Sequence, residues 1–358
     1  MRFIFKTQYE QDIRIVKHGG QAFWYALLMV ALLVAPWLVG DYWLTQLAFI
    51  LIYSIAGLGL MVLAGFTGLA SLGHAAFLGV GAYTQAFLLG IGWPFLLSLS
   101  CAAALSAAVG VIVGLPALRV KGIYLAIATQ AFGFIVEEVL ARWESVTGGN
   151  SGRNVPGVKI FGFEVGSGEG FYYVCLAICV LCTFGVLNLM RSGTGRAFVA
   201  IRDSEISAQS MGIAIAQYKT LAFAISAALT GLAGALYAHK LRFISPDQFG
   251  ALQSIELLLL VVVGGLGSIH GAFLGAIFLI AMPQLISLSK DVLPAAIGQA
   301  SGLQGFVYGL VLVGIVLFEP MGMYGRWLKI RTFFQLFPFY RKGMFRRQKS
   351  FTKSERLK

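Results

Sequence analysis

The chain has 358 residues, of which 58% are hydrophobic and only 12% are charged. Soluble domains carry about 25% charged residues, so this composition excludes an ordinary globular protein and indicates an integral membrane protein. The net charge of +12 is confined to the ends, with +2 on residues 1–22 and +10 on residues 326–358. Because Lys and Arg are retained on the cytoplasmic side of a membrane, this pattern predicts two cytoplasmic termini.

Ten apolar segments provide, or nearly provide, the roughly 20 residues that a membrane-spanning helix requires. In chain order they are 23–40, 46–65, 70–91, 94–115, 122–141, 171–190, 219–239, 254–267, 271–289 and 303–319. The first follows basic residues, as in a signal peptide, but it contains Pro36 and no clear cleavage site, which favours an uncleaved helix. The sequence therefore predicts an all-α integral membrane protein with about ten transmembrane helices over residues 23–319, between cytoplasmic tails at 1–22 and 320–358.

The connections between these segments alternate in charge, as two cytoplasmic termini require. Residues 116–121 carry Arg119 and Lys121, and we predict that they lie inside. The charges of the 142–170 connection balance, which predicts an outside position. The 191–218 connection has three Arg against two acidic residues, which predicts an inside position.

Glycine-rich patterns add two expectations. The eighth segment is short and ends at Gly264, Gly265 and Gly267, which predicts irregular backbone shielded by protein or by a water-filled cavity. The sequence HAAFLG at 74–79 recurs as HGAFLG at 270–275, and both copies begin a predicted helix that runs from inside to outside. This recurrence indicates a parallel internal repeat. Chance similarity between helices rich in Gly and Ala is the alternative.

No constellation of catalytic residues is present in the sequence. There is no G-x-x-x-x-G-K-[ST] phosphate loop and no H-E-x-x-H metal motif, and the four histidines are scattered. The four cysteines lie in apolar runs and are interpreted as packing residues, so we expect neither a metal nor another cofactor on this chain: they are Cys101, Cys175, Cys179 and Cys182. If the protein uses ATP, a partner must bind it.

Acidic residues are few in the predicted helices, and they lie near helix ends, at Glu137, Glu138, Glu256 and Glu319. A carrier driven by protons or sodium would need ionisable groups near the centre of the bilayer, where they are costly and are kept for function. Their scarcity argues against ion-coupled transport.

The 191–218 connection predicts a short cytoplasmic helix. Ser204, or the Asp before it, can cap the first turn, and Gly212 fits just beyond the end. Ile206 and Met211 would form an apolar side. A helix of this kind is too short to cross the membrane and suits docking into a groove on a partner protein. A loop lying at the lipid headgroups is the alternative.

Five blocks of the sequence resemble, in order, the permeases of branched-chain amino-acid ABC importers, and most closely the longer, M-type member of the paired permeases. The blocks are Gly68 through Phe77 with Gly81-Ala82-Tyr83; Tyr124 through Thr129 with Phe132-Gly133; Thr147-Gly148-Gly149; Gly195-Arg196-Ala197 through Ala200-Ile201-Arg202-Asp203 to Met211-Gly212; and Gly264 through Ser268 with Gly271. The resemblance covers residues 57–325.

The resemblance implies an importer of several subunits in the bacterial inner membrane. A second related permease would complete the path, two cytoplasmic subunits would hydrolyse ATP, and a periplasmic binding protein would deliver the substrate, so this chain itself is not expected to be an enzyme. The resemblance implies coupling to the ATPase subunits through Gly195, Arg196, Arg202, Asp203, Glu205, Met211 and Gly212. It implies contact with the binding protein at Thr147, Gly148 and Gly149.

Polar residues that could line the translocation path are few. The candidates are Ser71, His74, Thr129 and Gln130, and a packing role for the histidine is the alternative. Branched-chain amino acids are the expected cargo, with urea, short amides and aromatic acids as alternatives within the same family. A self-sufficient carrier or channel, and an intramembrane enzyme, are the alternatives outside it.

The basic tail beyond Arg326 contains many aromatic residues between its Lys and Arg residues. This mixture is typical of segments that lie on anionic lipid, because the aromatic rings enter the interface while the cations contact the headgroups. We therefore expect membrane lipid rather than nucleic acid as the partner of the tail.

Overall fold

The computed structural model describes residues 19–118, 120, 122–160, 163–165, 168–290, 303–319 and 321–336. Within these residues the fold is a bundle of α-helices. In chain order the helices are α1 Gly19–Leu38, α2 Asp41–Leu60, α3 His74–Gly90, α4 Phe95–Ala117, α5 Ile123–Arg142, α6 Glu144–Thr147, α7 Glu169–Arg191, α8 Gly193–Asp203, α9 Glu205–Ser210, α10 Ile215–Leu241, α11 Ala251–Gly264, α12 Ile269–Lys290, α13 Leu303–Phe318 and α14 Gly322–Leu336.

Short elements connect the helices. A π-helical turn, Met61–Phe66, extends α2, and 3₁₀ turns occupy Gly149–Ser151 and Pro246–Phe249. The strands are β1 Arg153–Asn154, β2 Val158–Ile160, β3 Phe163–Val165 and β4 Phe243–Ile244. Strand β1 pairs with β4, and β2 pairs with β3, both in antiparallel register. These strands lie only in the connections, so the architecture of the described residues is a helical bundle.

Each of the ten predicted segments coincides with a helix of the structure. Among the described residues, 7 helices are long and apolar enough to cross a membrane. They are Asp41–Phe66, Phe95–Pro116, Ile123–Arg142, Glu169–Arg191, Ile215–Leu241, Pro246–Gly264 and Ile269–Ser287. A multi-pass helical membrane protein is therefore confirmed. The count of ten stays a prediction, because α1, α3 and α13 are not among the helices that are both long enough and apolar enough to span a membrane.

The connections between helices separate into two groups at opposite ends of the bundle. At one end, β1 of the 142–170 connection pairs with β4, which follows α10. At the other end, Arg202 of the 191–218 connection donates a hydrogen bond of 3.1 Å to Gly65 O in the π-helical turn. The charge pattern predicts the first group outside and the second inside, so we call these the outer end and the inner end. Which end faces the cytoplasm stays a prediction.

Helix α10 forms the centre of the bundle and packs against α2, α3 and α4. Glycine lets the backbones touch, as is common where membrane helices meet. A Cβ atom at Gly81 of α3 would overlap Gly231 of α10, and a Cβ atom at Gly234 would overlap the carbonyl of Leu78. Phe223 of α10 is fully buried in the same core. This close packing holds α3 in a fixed position, which matters because α3 begins in the interior.

The two copies of the repeated sequence both lie at a helix start, α3 at His74 and α12 beside His270. Their surroundings differ. His74 is fully buried, with Nε2 3.0 Å from Ser226 Oγ. His270 is exposed at the inner end, and its ring stacks on Tyr324 of α14. The helix starts agree with the expected repeat, but the packing around them is not equivalent, and the repeat stays a prediction.

Candidate functional site

Residues 191–218, which we call the inner segment, contain two short helices where the sequence predicted one. Ser204 caps α9 as predicted, because its Oγ accepts a hydrogen bond of 3.3 Å from Ser207 N. Gly212 follows the end of α9 with a φ of 80°, also as predicted. Helix α8 was missed by the sequence reasoning. The signal was present, since Ser192 is an N-cap residue in front of it.

Gly195 and Arg196, predicted to take part in coupling, shape the corner between α7 and α8. A Cβ atom at Gly195 would lie 2.5 Å from Met190 Cα, so glycine is required for this approach. Arg196 Nη1 donates a hydrogen bond of 3.2 Å to Arg191 O across the same corner. These contacts fold α8 back toward the bundle and fix the direction in which the inner segment leaves α7.

The tip of the inner segment presents two large apolar side chains to solvent. Ile206 is 79% exposed and Met211 is 82% exposed. The side chain of Asp203 is 65% exposed. The segment belongs to the group of inner-end connections, and it lies between the spanning helices α7 and α10. An exposed apolar surface with charged neighbours is typical of a protein–protein interaction site.

Glu205 faces the protein rather than a partner. Its Oε1 lies 2.6 Å from Lys219 Nζ, and the lysine side chain is only 1% exposed. The pair fastens α9 to the first turn of α10. The sequence reasoning missed Lys219, because a single Lys at the start of an apolar segment is usually exposed at the interface. The structure gives Glu205 a structural role, and a direct role in coupling stays a prediction.

A non-helical segment, residues 67–73, connects the π-helical turn to α3 and is partly exposed at its beginning. Side chains of neighbouring helices bond to two backbone N–H groups where it passes into α3. Leu72 N donates to Thr129 Oγ1 of α5 at 3.0 Å, and Ala75 N, in the first turn of α3, donates to Ser254 Oγ of α11 at 3.0 Å. Irregular backbone inside a membrane protein is tolerated only with such shielding. Helix α3 therefore begins inside the bundle.

Three of the four residues predicted to line the path meet at this helix start. Ser71 and His74 are 0% exposed and Thr129 is 2% exposed. Ser226 Oγ donates to Gly59 O at 2.6 Å and lies 3.0 Å from His74 Nε2. Because the hydroxyl proton is used on Gly59, His74 must donate from Nε2, which leaves Nδ1 as an acceptor. We call Ser71, His74 and Thr129 the interior polar cluster.

The interior polar cluster contains polar atoms that no protein group satisfies. Ser71 Oγ and His74 Nδ1 have no hydrogen-bond partner among the described residues. Gln130, the fourth predicted residue, follows Thr129 on α5 and is half-buried. Gly73 packs against the carbonyl of Thr129 so closely that a Cβ atom would overlap it. The structure thus brings the predicted residues together, but it buries them between helices rather than along an open channel.

Ser226 and Ser254 belong to this region and were missed by the sequence reasoning. Ser226 lies near the middle of α10, and Ser254 lies in the first turn of α11. A small hydroxyl side chain in a membrane helix usually bonds to its own helix backbone. Nothing in the local sequence distinguishes these two, because their partners are more than 150 residues away along the chain.

At the outer end, Thr147, Gly148 and Gly149 form a compact turn. Thr147 Oγ1 lies 2.7 Å from the carbonyl oxygens of Leu140 and Trp143, and it accepts a hydrogen bond of 3.1 Å from Gly149 N. Thr147 is 1% exposed, so its hydroxyl is used entirely within the turn. Any contact with a partner at this turn would be made by the exposed backbone around Gly148.

The chain is similar to known transport proteins over most of its length. The model of the family described as "Branched-chain amino acid transport system / permease component" matches residues 42–316. The high-affinity branched-chain amino acid transport system permease protein LivM of Escherichia coli (strain K12) is 37% identical over 289 residues, which are 73% of this chain and 68% of the relative.

Two further relatives match shorter stretches. LivM of Salmonella typhimurium is 36% identical over 219 residues, which are 54% of this chain and 52% of the relative. The autoinducer 2 import system permease protein LsrC of Enterobacter sp. (strain 638) is 31% identical over 150 residues, which are 40% of this chain and 41% of the relative. No solved structure is significantly similar. The inner segment, the interior polar cluster and the outer turn all lie within the matched range, and the chain belongs to the branched-chain amino acid transport permease family.

Proposed function

We propose that this chain is the transmembrane permease subunit of an ATP-binding cassette importer in a bacterial inner membrane. The observation that carries the proposal is the family match over residues 42–316. The chain has no phosphate-binding loop, so the energy for transport comes from separate ATP-hydrolysing subunits. A second related permease completes the path, and a periplasmic binding protein delivers the substrate at the outer end.

The tip of the inner segment is the surface on which we expect an ATPase subunit to dock. Ile206 and Met211 provide the exposed apolar contact. The Glu205–Lys219 pair holds the tip against α10, so a force applied there is transmitted to the bundle rather than lost in a loose loop. Rigid attachment of this kind is what a conformational coupling element requires.

The cargo that we propose is branched-chain amino acids. Two relatives, from Escherichia coli and Salmonella typhimurium, are described as permeases of high-affinity branched-chain amino acid transport systems. The autoinducer 2 permease matches a shorter part of the chain at lower identity. Most buried side chains among the described residues are apolar, which suits a path that lets small, largely apolar molecules pass while the binding protein selects them.

We place the translocation path beside the interior polar cluster. Discontinuous helices near the middle of the membrane form the substrate sites of many transporters. Here α3 begins inside the bundle, and Ser71 Oγ and His74 Nδ1 are buried without a protein partner among the described residues. In this structure they are covered. In an open arrangement they would be the polar groups that a passing substrate meets.

The first test is purification of the tagged chain from its native host, followed by reconstitution in liposomes. We expect two ATPase subunits and a second permease to co-purify. Uptake of labelled leucine should require ATP and the binding protein, and excess isoleucine or valine should compete where urea, short amides and aromatic acids do not. Uptake by the purified chain alone, without ATP, would indicate a self-sufficient carrier instead.

The second test concerns the docking surface. Met211→Asp should reduce co-purification of the ATPase subunits by tenfold or more, about the effect of removing a central apolar contact from an interface. Met211→Leu keeps an apolar side chain of similar volume and should retain the complex. Equal amounts of ATPase with both variants would remove the docking assignment, while leaving the permease assignment in place.

A further inference from the structure

Arg202 lies in the last turn of α8, and its guanidinium group is divided between two partners. Nε and Nη2 both donate to Asp203 Oδ1, each at 3.1 Å, on the side that faces solvent. Nη1 points the other way and donates to Gly65 O at 3.1 Å. The arginine was predicted to act at the ATPase contact. Its position shows a bond from the inner segment into the bundle, and the role at the ATPase contact stays a prediction.

The carbonyl that Arg202 reaches belongs to the π-helical turn Met61–Phe66. Just beyond this turn, Gly68 has a φ of 77°, and a Cβ atom there would lie 2.9 Å from Cγ of Arg202. The aliphatic part of the arginine therefore packs against the first interruption of the helical backbone. That interruption continues directly into residues 67–73 and the interior polar cluster.

A second interruption of the helical backbone meets the same guanidinium group. Residues 265–268 separate α11 from α12, and Gly267 within them has a φ of 81°. A Cβ atom at Gly267 would lie 3.2 Å from Nη1 of Arg202, and Gly267 N donates to Met61 Sδ at 3.2 Å. Arg202 thus lies where the two interruptions come together, one leading to α3 and the other to α12.

Resting on the proposed function, we propose that Arg202 is the positioning residue that transmits movement of the inner segment to both interruptions, and through them to α3 and α12. Backbone that lacks the regular helical hydrogen bonds is where a helix bends most easily. A bond to Gly65 O, at that point, converts displacement of α8 into rotation of the segment that carries Ser71 and His74. Asp203 orients the guanidinium group from the solvent side.

The chemistry of the site requires arginine rather than lysine. The guanidinium group is a planar fork with donors on opposite edges, so one side chain can bond to Asp203 and Gly65 O at the same time. An ammonium group has its donors on a single atom, so a lysine side chain could not bond to Asp203 on one side and Gly65 O on the other. In amide exchange and in coupling of transport to ATP hydrolysis, Arg202→Lys should therefore resemble Arg202→Ala more than the unchanged protein.

Hydrogen exchange on the purified chain tests the structural part of the proposal without any ATPase. We expect Arg202→Ala to increase amide exchange at 61–68 and 264–268 by about tenfold, the change that loss of one hydrogen bond to a charged group produces in a local opening equilibrium. The control is Arg142→Ala, which removes an exposed arginine at the outer end, paired with Glu138 one turn earlier on α5, and should leave both stretches unchanged. Unchanged exchange in Arg202→Ala would overturn the proposal.

Coupling in the reconstituted complex tests the transmission. Arg202→Ala should still bind the ATPase subunits, because the exposed tip is intact, but the number of substrate molecules taken up per ATP hydrolysed should fall about tenfold. Arg142→Ala should keep the unchanged ratio. Faster exchange with a normal transport ratio would overturn the transmission role. If the unchanged complex itself showed no ATP-driven uptake, the proposed function would fail, while the exchange measurement would still decide whether Arg202 holds the two interruptions together.

Discussion

The position of Glu205 was predicted correctly from the sequence, but its pairing with Lys219 was not. The sequence places Glu205 in the polar first turn of a short helix, and the structure confirms that helix. Its partner is a buried lysine at the start of a spanning helix. A buried charge is costly unless it is paired. The carboxylate of Glu205 therefore serves first to neutralise Lys219, and contact with a partner protein would be an additional role.

We predict that Glu205→Ala destabilises the protein by about 3–5 kcal/mol, the usual cost of leaving one member of a buried pair uncompensated. The double variant with Lys219→Met should recover most of this loss, because the apolar side chain removes the uncompensated charge and keeps the volume. The measurement is the midpoint temperature of unfolding of the purified protein in detergent. Additive losses in the double variant would contradict the pairing argument.

Helix α14 is an element that the sequence assigned only to a basic tail. It begins at Gly322, where a Cβ atom would lie 2.6 Å from Cα of Gly265, so it packs directly on the second interruption of the backbone. Tyr324 stacks on His270 with ring centroids 5.3 Å apart. Glu319, predicted at the inner end of the tenth segment, follows α13 and binds Arg326 and Lys329 of α14. Of the predicted tail 320–358, residue 320 and the residues beyond 336 lie outside the described residues.

The attachment of α14 should weaken in acid. Hydrogen bonds from Lys329 and Arg326 hold the pKa of Glu319 below its ordinary value. A carboxyl group whose pKa is lowered in the folded protein contributes stability above its unfolded pKa, and this contribution is lost as the pH falls through the folded pKa. We therefore predict that α14 is held fully at neutral pH and is released at a pH below the ordinary range of a glutamate.

Hydrogen exchange of residues 322–336 measures this release. At neutral pH, Glu319→Gln should exchange faster than the unchanged protein, because the neutral amide binds the two cations less strongly. The difference should shrink as the pH falls and disappear once Glu319 is protonated. Since both proteins are compared at each pH, the intrinsic pH dependence of exchange cancels. A difference that persists in acid would show that the ion pairs do not hold α14.

The molecule as a whole has two ends that the charge pattern had already separated. Connections predicted outside meet at one end through β1 and β4, and those predicted inside meet at the other through Arg202 and Gly65. The structure groups these connections through their contacts alone, without reference to their charges. It supports an alternating passage of the chain through the membrane.

Cysteine labelling in intact cells should establish the sidedness. After replacement of the four native cysteines by Ala, Gly92→Cys and Gly212→Cys form a matched pair, since both glycines have positive φ and nothing within 4 Å of a Cβ atom. A membrane-impermeant maleimide should label Gly92→Cys in intact cells and Gly212→Cys only after permeabilisation. The opposite result would invert the topology, and with it the placement of the docking surface.

The sequence alone determined the class of the molecule and the position of its ten apolar helices, although it did not reveal α8 or α14. A spanning helix needs a long apolar stretch because it lies in lipid, and Lys and Arg collect on one side of the membrane. Both signals can be read from short stretches of sequence without knowledge of the tertiary structure. The caps at Ser204 and Gly212 were predictable for the same reason, because capping uses neighbouring backbone groups. The five motif blocks identified the family, because their residues and their order along the chain resemble those of its permeases.

Only the tertiary structure decided what those residues contact. Arg202 and Gly65 are 137 residues apart, and His74 and Ser226 are 152 residues apart. Such pairs form because close helix packing brings distant backbone together and leaves a donor or a charge with one available partner. From the sequence, Arg202 and Glu205 were candidates for coupling and His74 was a candidate for the translocation path. The packing of α10 against its neighbours, and the interruptions after α2 and α11, determined their contacts. Arg202 is bonded into the bundle, Glu205 pairs with a buried lysine, and His74 lies at a helix start inside the bundle.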